Sequence, residues 1–167
     1  LQESRNRIRS MAIIHENLYR TEDFSSIKFA NYLKNLTSNL IASYRINSDI
    51  ELKLNLDDID LILDQAIPCG LLINELITNA LKYAWKDGES GTITINLKQE
   101  DKIVELEIGD DGIGLPDEFD MIKSDTLGLQ LVITLAEQLD ADLRVDVING
   151  TKYLIKFENI KPRSHVQ

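Results

Sequence analysis

Between residues 50 and 158 the hydrophobic period switches from two to between three and four and back, twice. Few folds accommodate that order. Ile50, Leu52, Leu54 and Leu56 alternate with Glu51, Lys53 and Asn55, which predicts a strand with one buried face. After an acidic turn around Asp57–Asp60, helical spacing runs from about Gln65 to Trp85, with Asp64 as cap and Pro68 in the tolerant first turn. Lys86-Asp87-Gly88 ends that helix. Two strands follow, about Gly91–Gln99 and Lys102–Gly109, and then a loop reaching about Thr126. A helix over Leu127–Leu139 precedes strands near Asp142–Val147 and Thr151–Glu158, turned by Asn149-Gly150. Upstream, Ile8, Met11, Ala12, Ile14, His15 and Leu18 recur at helical spacing, and a second helix runs from Ser25 or Ser26 to about Tyr44. The order predicts an α+β chain. Its core is a two-layer α/β sandwich, with a mixed, largely antiparallel sheet and helices on one face, behind an N-terminal helical segment.

Charge narrows the chemistry. Lys and Arg number 18 and Asp and Glu 28, a net charge of −10 over 167 residues. A surface that acidic is a poor general binder of nucleic acid. A polyphosphate could be held only locally, by backbone N–H groups, a metal and a few cations. The charge is also uneven, since residues 1–20 carry a net +2. Cys69 is the single cysteine, so no intrachain disulfide and no cysteine-rich metal site can form, and a reducing, cytoplasmic compartment fits. No apolar run approaches a membrane span, and no signal-peptide pattern opens the chain. Starting at Leu1 in helix-like sequence, the chain reads as a fragment. Any membrane anchor of the parent protein would lie outside it.

Four short segments carry candidate chemistry. In Leu71–Ala84, Glu75, Asn79 and Lys82 fall within about 60° of one another on a helical wheel, opposite Ile73, Ile77, Ala80 and Ala84. An amide oxygen suits Mg²⁺, a carboxylate can accept a proton or orient water, and an ammonium can meet a phosphate. The same row also reads as an ordinary solvated helix face. Asp110-Asp111-Gly112-Ile113-Gly114 leaves the end of a strand. It reads either as a tight acidic turn or as a carboxylate for an exocyclic amine, flanked by glycines that let backbone approach a flat ligand. Thr126-Leu127-Gly128-Leu129 opens a helix whose free N–H groups suit a phosphate, or is a plain helix start. Asn149-Gly150-Thr151 is adequate as a hairpin turn, or else brings a hydroxyl beside Asp110. The loop from Pro116 to Thr126 reads as a lid or as a surface loop.

In this order, on these elements, the segments resemble the ATP-binding domain of the histidine kinase, gyrase, chaperone and mismatch-repair superfamily, the Bergerat fold. The likeness covers roughly residues 50–160. It is nearest to short-lid sensor histidine kinases, on Asn74-Glu75-Leu76-Ile77-Thr78-Asn79-Ala80-Leu81-Lys82-Tyr83-Ala84, the strand at Gly91-Thr92-Ile93, and Leu127-Gly128-Leu129. Ile14-His15-Glu16-Asn17-Leu18-Tyr19 is similar to the second dimerisation helix of that subfamily. The resemblance implies Glu75 as catalytic carboxylate and Asn79 as the Mg²⁺ holder. It further implies Lys82 on phosphate, Tyr83 flanking the nucleotide, and Asp110 on the adenine amine. Gly112 and Gly114 would shape the pocket, Gly128 and Leu129 border the phosphates, and Thr151 support Asp110. Asp111 stands where Asn is common, which adds negative charge beside the ligand and would weaken ATP binding slightly. No phenylalanine-rich lid box is present.

The implied organisation is a helical remnant of dimerisation and connector helices over residues 1–46, an ATP-binding kinase domain over 47–160, and a tail over 161–167. The implied activity is transfer of the ATP γ-phosphate to a histidine on a dimerisation helix, then to a response regulator receiver domain, within a homodimeric full-length protein. His15 and His165 are the histidines present. His165 lies in the tail and reads as inert, and His15 lacks the Arg and Lys-Asn context of the subfamily's acceptor and reads as structural or interfacial, so the acceptor is expected upstream of Leu1. Alternatives are a serine kinase of the anti-sigma-factor type and a degenerate nucleotide-binding or dimerisation module.

Overall fold

The computed structural model describes residues 26–44, 49–116 and 126–161, together with Ile8, Ala12 and Glu16 as isolated helical positions. Most of the first helix, His15, His165 and the loop residues 117–125 lie outside the described residues. The elements are β1 (Ser26–Lys28), α1 (Phe29–Tyr44), β2 (Ile50–Leu56), β3 (Asp60–Ile62), α2 (Leu63–Tyr83), β4 (Gly91–Glu100), β5 (Ile103–Asp110), α3 (Leu127–Gln138), β6 (Asp142–Asp146) and β7 (Thr151–Glu158).

The main sheet has five strands in the order β2-β4-β5-β7-β6. β2 and β4 are parallel, paired from Ile50 with Gly91 to Leu56 with Leu97, because α2 forms the crossover between them. All other neighbours in this sheet are antiparallel. Strict alternation sets its two faces. Ile93, Ile95, Leu97, Val104, Leu106, Ile108, Tyr153, Ile155 and Phe157 point inward and are buried. The opposite face carries charges in register: Lys156 meets Glu105 at 2.7 Å, Asn96 donates to Glu107 at 2.8 Å, and Lys152 lies 3.5 Å from Glu107. One face therefore seeks helices and the other seeks water. α2 and α3 supply the covering layer through Leu72, Ile73, Leu76, Ile77, Val132 and Leu135, each fully buried Leu or Ile contributing roughly 1.5–3 kcal/mol.

α1 joins that same core through Phe29, Tyr32, Leu33, Leu36 and Leu40. A Cβ on Gly70 would fall 2.2 Å from the Tyr32 hydroxyl, so Gly70 lets α1 and α2 pack at close range. The element that sequence assigns to the 1–46 segment thus shares one hydrophobic core with the sheet.

Four local readings change. The helix expected from Ser25 or Ser26 begins at Phe29, because Ser26–Lys28 pairs antiparallel with Asp60–Ile62 and Phe29 donates its N–H to the Ile59 carbonyl at 2.8 Å. The acidic turn accordingly closes before Asp60. Asp64 is not the cap of α2: the chain passes directly from β3 into the helix, Ile62 is the cap residue, and no side chain bonds there. Asp64 lies in the first turn, where its charge still favours the positive helix end. Pro68 consequently falls in the second turn, where it removes the N–H that would meet the Asp64 carbonyl.

Candidate functional site

A cavity of about 550 Å³ opens between α2, α3 and the ends of β5 and β7. Glu75, Asn79, Lys82, Tyr83, Asp110, Gly114, Gly128, Leu129 and Thr151 all line it. The polar row of α2 is therefore not a solvated face. Glu75 is only 5% exposed, while Asn79 and Lys82 are half-buried. Tyr83, at 66% exposure, stands at the rim with Ile113 and Leu127.

The cavity has two distinct ends. At the C-terminal end of α2, Asp110 Oδ1 accepts from the backbone N–H of Gly112 at 3.0 Å and of Thr151 at 3.3 Å. These bonds fix the carboxylate and leave Oδ2 outside them. Burial raises the Asp110 pKa above the ordinary 3.8, against the two backbone donors, and the neighbouring Asp111 charge raises it further. At the other end, α3 starts next to Glu75: a Cβ on Gly128 would lie 3.2 Å from Glu75 Oε2 and 3.8 Å from Asn79 Oδ1. Thr126 is the cap residue of α3 and makes no side-chain capping bond, so its side chain does not occupy the first-turn N–H groups. Nine residues of helix separate Glu75 from Ala84, about 13 Å along the axis.

Gly112 does not line the cavity. A Cβ there would meet the Ala84 carbonyl oxygen at 2.2 Å, and Ile113 donates its N–H to that same oxygen at 2.8 Å. Its role is to seat the loop on the end of α2. Gly114 lies in the left-handed region, φ 75°, against Val147. Thr151 reaches Asp110 through its backbone N–H, where a hydroxyl was expected. Asp111 also departs from expectation, since it does not line the cavity. Its Oδ1 accepts from Thr92 N–H at 2.8 Å and Trp85 Nε1–H at 3.1 Å, tying the end of α2 to β4. Trp85 lies over Gly91, where a Cβ would fall inside its ring system.

Sequence reasoning missed Asn74, Thr78, Leu115 and Tyr153, which also line the cavity. Thr78 was within reach, three residues from Glu75 on the same helix. Tyr153 shares the inward face of β7 with Thr151, and its hydroxyl is pushed up to about 12 by burial and by the Asp110 charge. Among the described residues no cluster of three or more His, Cys, Asp or Glu could hold a metal ion. Glu75 and Asn79 instead offer hard oxygen donors at the end where α3 presents N–H groups, a donor set that fits Mg²⁺ shared with phosphate oxygens. Among the described residues no helix is long and apolar enough to cross a membrane.

Residues 1–44 match a family described as histidine kinase, and residues 64–160 match the histidine kinase-, DNA gyrase B- and HSP90-like ATPases. A sensor histidine kinase of Mycolicibacterium smegmatis, PdtaS, is 33% identical over 155 residues, covering 90% of this chain and 30% of that protein. An anti-sigma F factor of Bacillus licheniformis is 32% identical over 59 residues, covering 35% of this chain and 40% of that protein. The histidine kinase domain of a blue-light activated histidine kinase from Erythrobacter litoralis superposes with a TM-score of 0.85 at 23% identity, over 95% of this chain and 76% of that one. The chain spans under a third of the length of the PdtaS kinases it matches. Its sheet order, its α2 row facing a cavity and the match over residues 64–160 agree: the chain belongs to the histidine kinase-, DNA gyrase B- and HSP90-like ATPase family.

Proposed function

We propose that this domain binds Mg·ATP in the α2–α3 cavity and presents the γ-phosphate to a histidine, other than His15, on a dimerisation helix of the same protein. The phosphoryl group then passes to an aspartate of a response regulator receiver domain, and the full-length kinase works as a homodimer. One observation carries the reading: a backbone-fixed carboxylate at one end of a single cavity faces a carboxylate, an amide and a helix N-terminus at the other.

The role proposed for each residue is the one the family resemblance implies, and its position is compatible with it. Asp110 accepts from the adenine amine, and Tyr83 flanks the base at the rim. Lys82 contacts phosphate, and the first-turn N–H groups around Gly128 and Leu129 receive phosphate oxygens. Bound Mg²⁺ neutralises phosphate charge, and the Asn79 amide oxygen would hold it. Glu75 sits beside the reacting end as the group that takes the proton of the attacking imidazole or orients it. Catalysis is then mainly positioning and charge neutralisation. The serine-kinase alternative is less well supported, since the anti-sigma F likeness spans 35% of the chain and the sensor-kinase likeness 90%. Calorimetric titration with ATP, with and without Mg²⁺, tests the reading. Saturable binding that strengthens with Mg²⁺ is expected, and a flat isotherm in both conditions refutes it.

A further inference from the structure

Three buried polar side-chain atoms among the described residues have no hydrogen-bond partner: Tyr32 OH, Thr78 Oγ1 and Asn159 Oδ1. Of these residues only Thr78 lines the cavity, and it is 6% exposed. A threonine inside a helix ordinarily satisfies its hydroxyl by bonding back to the carbonyl four residues earlier. Thr37 does so to Leu33 at 2.9 Å, Thr134 to Gln130 at 3.0 Å, and Ser43 to Asn39 at 2.7 Å. Thr78 does not. Its hydroxyl forgoes the local bond while buried in a wall of the cavity, a costly arrangement unless another group meets it there.

Position says which group. Thr78 is one turn from Glu75 and one turn from Lys82, on the side of α2 that those residues share. It is about 4.5 Å along the helix axis from Glu75 and about 9 Å from Ala84, against which the Asp110 loop is seated. It therefore belongs to the end of the cavity where α3 begins, not to the end where Asp110 is held. We propose that the Thr78 hydroxyl donates a hydrogen bond to a phosphate oxygen of the bound nucleotide and so positions the phosphoryl chain beside Glu75. This rests on the nucleotide reading of the cavity and adds a contact residue to it.

The test uses Thr78→Val, which keeps the branched shape and removes the hydroxyl, and Thr78→Ser, which keeps the hydroxyl. Calorimetry with Mg·ATP and with adenosine is paired with thermal melts of the ligand-free proteins. Thr78→Val should weaken Mg·ATP about tenfold, leave adenosine within about twofold, and melt no lower than the parent, because the hydroxyl it removes is unbonded in the free protein. Thr78→Ser should hold Mg·ATP within about threefold. Unchanged ATP affinity in Thr78→Val overturns the proposal. So does a joint loss of ATP affinity, adenosine affinity and melting temperature, which marks a packing role. Failure of the parent protein itself to bind ATP overturns the nucleotide reading, and this inference with it.

Discussion

Gly112→Ala should unseat the candidate base-binding end of the cavity without touching it. The new Cβ would lie 2.2 Å from the Ala84 carbonyl oxygen and 2.5 Å from the Ala84 Cβ. Ordinary contact requires a separation about 1 Å longer, and neither obstacle is a flexible side-chain end. The loop must therefore lift from α2, and that stretches the 2.8 Å bond from Ile113 N–H to the same carbonyl beyond hydrogen-bonding range. Overpacking costs about 1–3 kcal/mol and the lost backbone bond about 1 kcal/mol, so roughly 2–4 kcal/mol is expected. Urea denaturation followed by circular dichroism reads it as a lowered midpoint at unchanged slope. Gly109→Ala is the internal control, since its Cβ meets nothing closer than 3.6 Å, and it should change stability by no more than about 0.5 kcal/mol. Because Gly112 N–H also holds Asp110 Oδ1 at 3.0 Å, ATP affinity should fall with stability in Gly112→Ala and not in Gly109→Ala. A Gly112→Ala protein within about 0.5 kcal/mol of the parent would show that the loop adjusts freely, and the reasoning would fail.

Asp110 should make nucleotide affinity pH-dependent: burial raises its pKa above 3.8, so affinity falls on acidification at a higher pH than an ordinary carboxylate would give. The same shift stabilises the protonated, ligand-free fold below 3.8 and loses that contribution as pH rises through the raised value; Asp110→Asn should abolish both dependences in calorimetry and melts and weaken ATP roughly 30-fold or more. Glu75→Gln should bind Mg·ATP within about threefold of the parent yet lower phosphate incorporation in the complete kinase about 100-fold, measured with labelled ATP. Trp85→Phe removes the 3.1 Å bond to Asp111 on a partly exposed ring and should cost about 0.5–1.5 kcal/mol in urea melts, with ATP affinity nearly unchanged.

Much of the architecture is legible from periodicity because its faces are clean. β4, β5 and β7 each alternate strictly, and α2 confines its polar row to one side, so period alone assigns them. Short pairings were less visible. Ser26–Lys28 has no period of its own and becomes a strand only through Asp60–Ile62, more than thirty residues away. The parallel partnership of β2 and β4 likewise depends on which strands meet across the α2 crossover, which the helical spacing of that crossover does not specify. At the site, the motifs expected to meet line one cavity, while two residues beside Asp110 lie outside its lining. Gly112 reads as shaping the pocket and Asp111 as a charge beside the ligand, because they adjoin Asp110. A sharp turn sends adjacent residues in different directions, and these two meet Ala84, Trp85 and Thr92. Thr78 differs: spacing puts it on the face of Glu75, but a threonine in a helix normally bonds to its own backbone, and its unbonded hydroxyl is a property of the folded chain alone.

For a chain of net charge −10 the proposed binding of a polyphosphate poses an electrostatic problem, to which the cavity offers a local answer. Several of the cations are already paired elsewhere: Lys152 and Lys156 pair with Glu107 and Glu105 on the outer face of the sheet, and Lys28 pairs with Asp60 outside the cavity lining. What the cavity offers instead is short-ranged, namely the N–H groups opening α3, the Asn79 amide and Lys82. Dipoles at hydrogen-bond distance are barely screened, whereas the long-range field of an acidic surface is. Raising salt from ~50 to ~300 mM should therefore lower Mg·ATP affinity less than about threefold, because screening relieves the general repulsion while it weakens the Lys82 contact. Polycationic sites behave otherwise, losing orders of magnitude as counterions compete. Calorimetric titrations across that salt range decide the matter, and a drop of a hundredfold would mean that an extended basic surface, which this sequence does not supply, holds the phosphates.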